Sequence, residues 1–208
     1  MIKALLFDMD GTLLDNDKYE RQFWDKDLVE QAVKETGKPR NKVARDAARF
    51  IIENKGTPKY FYPQAYLDHL GARDYDLKSL VRKNLKMVKA WNWVKPALLK
   101  TRKKYVNIIF TNAIEEVASA KLEAAGISSC FHLINSTHAR TKLEEERFDE
   151  LFLILERLFG IDGRRESVFF SDDLDYAPVA RTFGLRIERV EKGKKPAVLD
   201  KLLDQAQH

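Results

Sequence analysis

Phe7-Asp8-Met9-Asp10-Gly11-Thr12-Leu13-Leu14 follows directly on the apolar run Ile2-Lys3-Ala4-Leu5-Leu6. Such a run reads as a short buried strand, and at its end the chain presents two carboxylates two residues apart. Carboxylates are rarely buried without a partner, so charge at the mouth of a strand has to be matched by something. Side chains alternate faces along a strand, and Asp8 and Asp10 would share one face if extension continued; Gly11 marks a turn instead. Asp8 then faces a pocket and Asp10 arcs over it. Two carboxylates so close raise each other's pKa unless a cation lies between them. Mg²⁺ suits that place, because it takes oxygen ligands and is commonly held by one or two carboxylates together with substrate phosphate. With the ion bound, one carboxylate can attack phosphorus and the other can move the proton.

Beyond the octet the pattern changes at Asp15-Asn16-Asp17. From Lys18 to about Trp93 the periodicity predicts amphipathic helices over 19–36, 42–54, 63–70 and 77–90, punctuated by Gly37-Lys38-Pro39, Gly56-Thr57-Pro58 and Gly71-Ala72, with no convincing strand. From Val94 onward strands and helices alternate: a helix from Pro96, a strand over 105–110, a helix over 115–125, a strand over 131–135, and a long helix over 145–159. A strand over 167–171, a helix over 177–183, a strand over 185–190 and a closing helix over 197–206 complete the series. This alternation predicts an α/β fold, a doubly wound parallel sheet covered on both faces. Residues 1–16 and 94–208 form that core domain, and residues 17–93 are a helical insertion. In such sheets ligands bind at the carboxyl ends of the strands, beside the switch point.

The chain has 208 residues, 44% hydrophobic and 33% charged, enough for one good core with a small accessory unit and a heavily charged surface. Cys130 is the single cysteine, so no internal disulfide forms, as in a reducing cytoplasm. The net charge of +5 suits anionic ligands, but Lys and Arg are scattered rather than gathered into an arm, so no nucleic-acid partner is expected. Met1 runs almost at once into the first strand and no apolar stretch approaches the ~20 residues of a membrane span. A soluble cytoplasmic protein with no membrane partner is the expectation. The oligomeric state is not readable. The histidines are weak candidates: His132 sits in a strand pattern, His208 is terminal, and His69 and His138 have no metal-ligand neighbour.

Three later stretches can serve the carboxylates. Thr111-Asn112 ends the strand Val106-Asn107-Ile108-Ile109-Phe110, where a hydroxyl and an amide can hold a phosphate oxygen or simply cap a turn. Lys142, in Thr141-Lys142-Leu143-Glu144, precedes a long helix and is the candidate cation, with Arg140 the nearest substitute. Ser171-Asp172-Asp173-Leu174-Asp175 sets three acids behind the apolar run Val168-Phe169-Phe170; a bound Mg²⁺ explains them, and Asp173 or Asp175 would equally serve as a helix cap.

These four pieces, in this order and each after a predicted strand, resemble the four motifs of the haloacid dehalogenase-like (HAD) hydrolases, most of which are Mg²⁺-dependent phosphatases. The resemblance spans the whole chain. It implies that Asp8 is a nucleophile forming an aspartyl phosphate and that Asp10 is general acid and base. It assigns phosphate binding to Thr111, with Asn112 beside it, charge balance to Lys142, and metal ligation to Asp8, the Asp10 main chain, Asp172 and Asp173. Residues 17–93 correspond to a C1-type helical cap, and the expected substrate is a small phosphorylated metabolite. The aromatic residues Tyr19, Phe23, Trp24 and Tyr60-Phe61-Tyr62 are candidates to meet it. The chain departs from the pattern in three places: Leu143 stands where many members have Pro, and Ser171 and Tyr176 stand where a common variant has Gly and a later Asp. Two rivals follow from the same residues. A dehalogenase of this fold would use Asp8 but generally lacks the second carboxylate, and a non-catalytic binding or regulatory protein could retain the fold.

Overall fold

The opening apolar run forms β1 (Ala4–Phe7), buried along its whole length. The computed structural model describes residues 1–137 and 140–204. After β1 come β2 (Leu14–Asp15), α1 (Asp17–Gln22), a π-helical turn (Phe23–Asp27), α2 (Leu28–Thr36) and α3 (Arg40–Asn54). A 3₁₀ turn (Pro58–Phe61), α4 (Pro63–Leu70), α5 (Leu77–Arg82), a second 3₁₀ turn (Leu85–Met87) and β3 (Lys89–Ala90) close this part of the chain. Then α6 (Val94–Thr101), β4 (Val106–Phe110), α7 (Glu115–Ala124), β5 (Leu133–Asn135) and α8 (Glu145–Phe159) follow. The chain continues with β6 (Ser167–Ser171), α9 (Ala177–Thr182), β7 (Arg186–Arg189) and α10 (Ala197–Asp204). The predicted end of the closing helix, 205–206, lies outside the described residues, as do His138 and His208.

The sheet runs in the order β5-β4-β1-β6-β7 with every neighbouring pair parallel. From β1 the chain builds β4 and β5 on one side, then returns to build β6 and β7 on the other, so β1 is the switch point. Phe7 lies level with Ile109 and Phe170. The residues that leave β1, β4 and β6 therefore emerge at nearly the same height.

Alternation along the strands divides the core in two. Leu5, Phe7, Ile109, Val168 and Phe170 face α6, α7 and α10, together with the apolar side of the helical insertion. Ala4, Leu6, Ile108, Phe110 and Phe169 face α8 and α9. The insertion thus shares one continuous core with one face of the sheet. Among the described residues no helix is long and apolar enough to cross a membrane.

Two expectations need correction. The helix predicted over 77–90 stops at Arg82 and is followed by a 3₁₀ turn and β3, which pairs antiparallel with β2, so the insertion does contain a strand. The cause is Asp27, buried with its carboxylate taking hydrogen bonds from Gln22 Nε2 (3.1 Å), Lys83 Nζ (2.9 Å) and Asn84 Nδ2 (2.6 Å). Asp27 thereby fixes Lys83 and Asn84 just past the last turn of α5. The helix predicted over 19–36 is continuous in direction but carries the π turn, a feature that recurs at functional sites.

Candidate active site

At the end of β1 the backbone of Asp8 still belongs to the sheet, its N–H donating to Phe170 O (2.8 Å). Its side chain does not. Oδ1 accepts from the Met9 N–H (2.8 Å), while Oδ2 accepts from Ser171 Oγ (3.1 Å) and the Tyr176 hydroxyl (3.0 Å) and pairs with Lys142 Nζ (2.7 Å). The Lys142 ammonium is nearly inaccessible and lies 4.4 Å from the centre of the Tyr176 ring, so charge and π face meet it together. Arg140 turns away to Glu150. Asn112 Oδ1 accepts from the Lys142 N–H (3.0 Å), which ties the loop carrying the lysine to the end of β4.

Gly11 has φ +76°, and a Cβ there would lie 2.2 Å from Asp172 Oδ2. Only glycine allows the turn and the approach of Asp172 at once. Asp172 and Thr12 exchange hydrogen bonds: Thr12 Oγ1 donates to Asp172 Oδ1 (2.6 Å) and accepts from the Asp172 N–H (2.9 Å). Partial burial raises the Asp172 carboxyl above its ordinary value, and the Asp8 charge adds to the rise. Among the described residues no cation pairs with Asp172, and no three acidic, histidine or cysteine side chains converge as a metal cluster. Asp173 reaches the same cavity, but its Oδ1 accepts from the Asp175 N–H (2.9 Å) as a cap of the following turn; Asp175 itself is exposed and away from the cavity. Thr111 lines the cavity with its Oγ1 accepting from the Ala113 N–H (3.1 Å).

Asp10 is held differently from Asp8. Its Oδ1 accepts from Asn16 Nδ2 (2.6 Å) and Lys121 Nζ (2.9 Å). Desolvation raises the Asp10 carboxyl even against the Lys121 ammonium, and the Glu20 charge raises it further. Burial alone would lower the Lys121 pKa, but Asp10 and Glu20 outweigh it and hold the ammonium above the ordinary lysine value.

The cavity above these groups has a volume of about 600 Å³. Its floor is the strand ends with Asp8, Asp10, Thr111, Lys142 and Asp172, and its roof comes from the insertion, with Arg21, Phe23, Trp24, Ile51, Tyr60 and Phe61. Of the aromatic candidates, Tyr19 is buried with its hydroxyl on Val81 O (2.9 Å) and does not line the cavity.

Asn16, Glu20 and Lys121 were not singled out by sequence as parts of this site, and Ser171 entered only as a departure from a motif. Lys121 did leave a trace, because it continues the buried stripe of Val117 and Ala118 on α7, a place where a lysine is out of character unless paired. Tyr176 was visible only as a departure from a motif. Its phenol is held neutral by burial and by the Asp8 charge, which makes it a hydrogen-bond donor to the carboxylate.

A family model described as haloacid dehalogenase-like hydrolase matches residues 2–184. No curated protein matches the chain. Among solved structures, a HAD phosphatase from Thermococcus onnurineus superposes with a TM-score of 0.78 at 18% identity, covering 98% of this chain and 97% of the other. A HAD family enzyme from Bacteroides thetaiotaomicron gives 0.63 at 19% identity, covering 96% and 98%. The L-2-haloacid dehalogenase of Xanthobacter autotrophicus gives 0.55 at 18% identity, covering 91% and 78%. Identities this low speak for the fold alone.

Proposed function

The chain belongs to the haloacid dehalogenase-like hydrolases, and from that premise we propose that it is a phosphatase acting on a small phosphorylated metabolite through an aspartyl phosphate on Asp8. The observation that carries this reading is the second carboxylate. Asp10 opens on the same cavity as Asp8 and is held on one oxygen by Asn16 and Lys121, as an acid and base must be held. A departing halide needs no proton, and dehalogenases of this fold generally lack that carboxylate.

In the proposed first half-reaction an Asp8 oxygen attacks phosphorus in line. Oδ1 is the freer oxygen, since Lys142, Ser171 and Tyr176 all engage Oδ2 and fix the carboxylate's rotation. As the new O–P bond forms, the ester P–O bond breaks, its electron pair goes to the leaving oxygen, and Asp10 supplies the proton. In the second half-reaction Asp10, now ionised, takes a proton from the water that attacks phosphorus, which releases phosphate and restores Asp8. Lys142 and Thr111 face the phosphate oxygens and counter their charge.

The donors near Asp172 fit a divalent ion. They are all oxygens, and Asp172 is a partly buried carboxylate beside Asp8 that makes no ion pair among the described residues, in a space that any side chain at residue 11 would fill. Asp8, the Asp10 main chain and Asp172 would hold Mg²⁺, with Asp173 beside them. When bound, the ion would neutralise charge on the phosphate. Residues 17–93, read as a cap, would exclude water and select the leaving group with the aromatic roof. Phosphate release from p-nitrophenyl phosphate with and without Mg²⁺, followed by a panel of phosphorylated metabolites, tests the proposal; no metal-dependent release from any of them would refute it.

A further inference from the structure

Lys121 is a buried cation shared between two parts of the molecule. It stands on α7, in the sheet domain, with its side chain 2% exposed. A charge so enclosed is tolerated only when paired and hydrogen-bonded. One partner is Asp10 at the end of β1; the other is Glu20 on α1, in the helical insertion. Asn16, at the junction, bridges the same two carboxylates, donating to Asp10 Oδ1 (2.6 Å) and Glu20 Oε1 (3.1 Å). The second oxygen of Glu20 accepts from Trp24 Nε1 (2.9 Å), in the π turn that roofs the cavity. An unbroken line of contacts therefore runs from the surface that meets the leaving group to the carboxylate that must protonate it.

Resting on the phosphatase reading above, we propose that Lys121 and Glu20 are positioning residues that aim Asp10, so that the insertion reaches the acid and base through Glu20. All protein donors to the Asp10 side chain fall on Oδ1, and among the described residues Oδ2 has none. Glu20 holds the ammonium to one side, so that Lys121 reaches one Asp10 oxygen and leaves the other for proton transfer. With Glu20 withdrawn the ammonium is free to lie across both oxygens, or to leave the carboxylate unaligned.

The role is separable from that of a plain latch by its dependence on the leaving group. An alkoxide departs only as the proton arrives, whereas p-nitrophenolate departs without one, and kcat/KM reports the steps through formation of the aspartyl phosphate. Glu20→Gln keeps the shape of the contact and removes its charge; Lys121→Met keeps the length of the side chain. For a simple alkyl phosphate kcat/KM should fall about 10- to 100-fold in either variant, part of the roughly 10²–10⁴ that proton transfer supplies. For p-nitrophenyl phosphate the fall should be less than about 3-fold. Glu20 is partly exposed, so its variant carries the test if Lys121→Met fails to fold. Equal losses on the two esters, or none on either, would overturn the positioning role and leave the phosphatase reading standing. A wild-type protein that releases phosphate from neither ester nor from any member of the metabolite panel would overturn both.

Discussion

The floor and the roof of the cavity are held together by different means. On the floor, Asp8 has a protein partner on each oxygen, Asp172 is locked to Thr12 in a two-way exchange, and the loop bearing Lys142 is pinned to Asn112. On the roof, among the described residues, Arg21 and Asp25 make no hydrogen bond or ion pair, and Trp24, Tyr60 and Phe61 meet their neighbours mainly ring to ring. The floor is preorganised, as groups that stabilise charge must be. The roof can adjust to what enters. The contrast teaches that the charged groups at the strand ends are fixed by hydrogen bonds and ion pairs, whereas the roof, Glu20 apart, offers apolar contacts and charged side chains with no partner among the described residues.

Substitutions at Asp8 and at the groups that hold it or the metal should therefore damage every substrate alike, and the largest loss is expected from Asp8→Asn. It should lower turnover by at least about 10⁴-fold, as removal of a nucleophile does, with the fold retained by circular dichroism although the buried Lys142 loses its counter-ion and the melting temperature falls; a variant that kept full activity would remove Asp8 from the mechanism. Chelation with EDTA should come next, abolishing phosphate release on all esters, with Mg²⁺ restoring it; activity indifferent to the chelator would discard the metal. Gly11→Ala should follow. Its positive φ costs about 1–3 kcal/mol of stability, read by denaturant titration, and displacement of Asp172 should raise the Mg²⁺ needed for half-maximal rate about 10-fold or more. Tyr176→Phe removes one of three groups on Asp8 Oδ2 and keeps the ring beside Lys142. A loss of about 0.5–1.5 kcal/mol, or roughly 2- to 12-fold in rate, is expected on all substrates.

The smallest effect on the test ester belongs to the roof. Phe61→Leu should shift KM for p-nitrophenyl phosphate only about 3-fold while reordering a metabolite panel by about 10-fold, the discrimination available to an apolar pocket. A uniform loss across the panel would erase the distinction between floor and roof.

What could be read from the chain follows the same division. Asp8, Asp10, Thr111 and Asp172 were legible because each directly follows an apolar strand, and a parallel sheet brings such ends to one level. Lys142 was legible through its place ahead of a long helix, and lies 2.7 Å from Asp8. The pairing of Glu20 with Lys121 was not, because the lysine's place in an apolar stripe does not say which acid, 101 residues away, it meets, and their meeting depends on how the insertion folds back onto α7. The end of α5 was misjudged for a similar reason. The helical pattern continues past Arg82, and what interrupts it is the distant Asp27 fixing Lys83 and Asn84 just past the last turn. The π turn at Phe23–Asp27 is equally silent, since one extra residue in a turn barely disturbs an apolar stripe.

All of this depends on Asp8 accepting a phosphoryl group, which can be observed on the protein itself. Acid quench during a single turnover of p-nitrophenyl phosphate with Mg²⁺, followed by peptide mass mapping, should find a phosphoryl adduct on Asp8 that is missing without the metal. Phosphate released while Asp8 stays unmodified, or an adduct on another residue, would contradict the account.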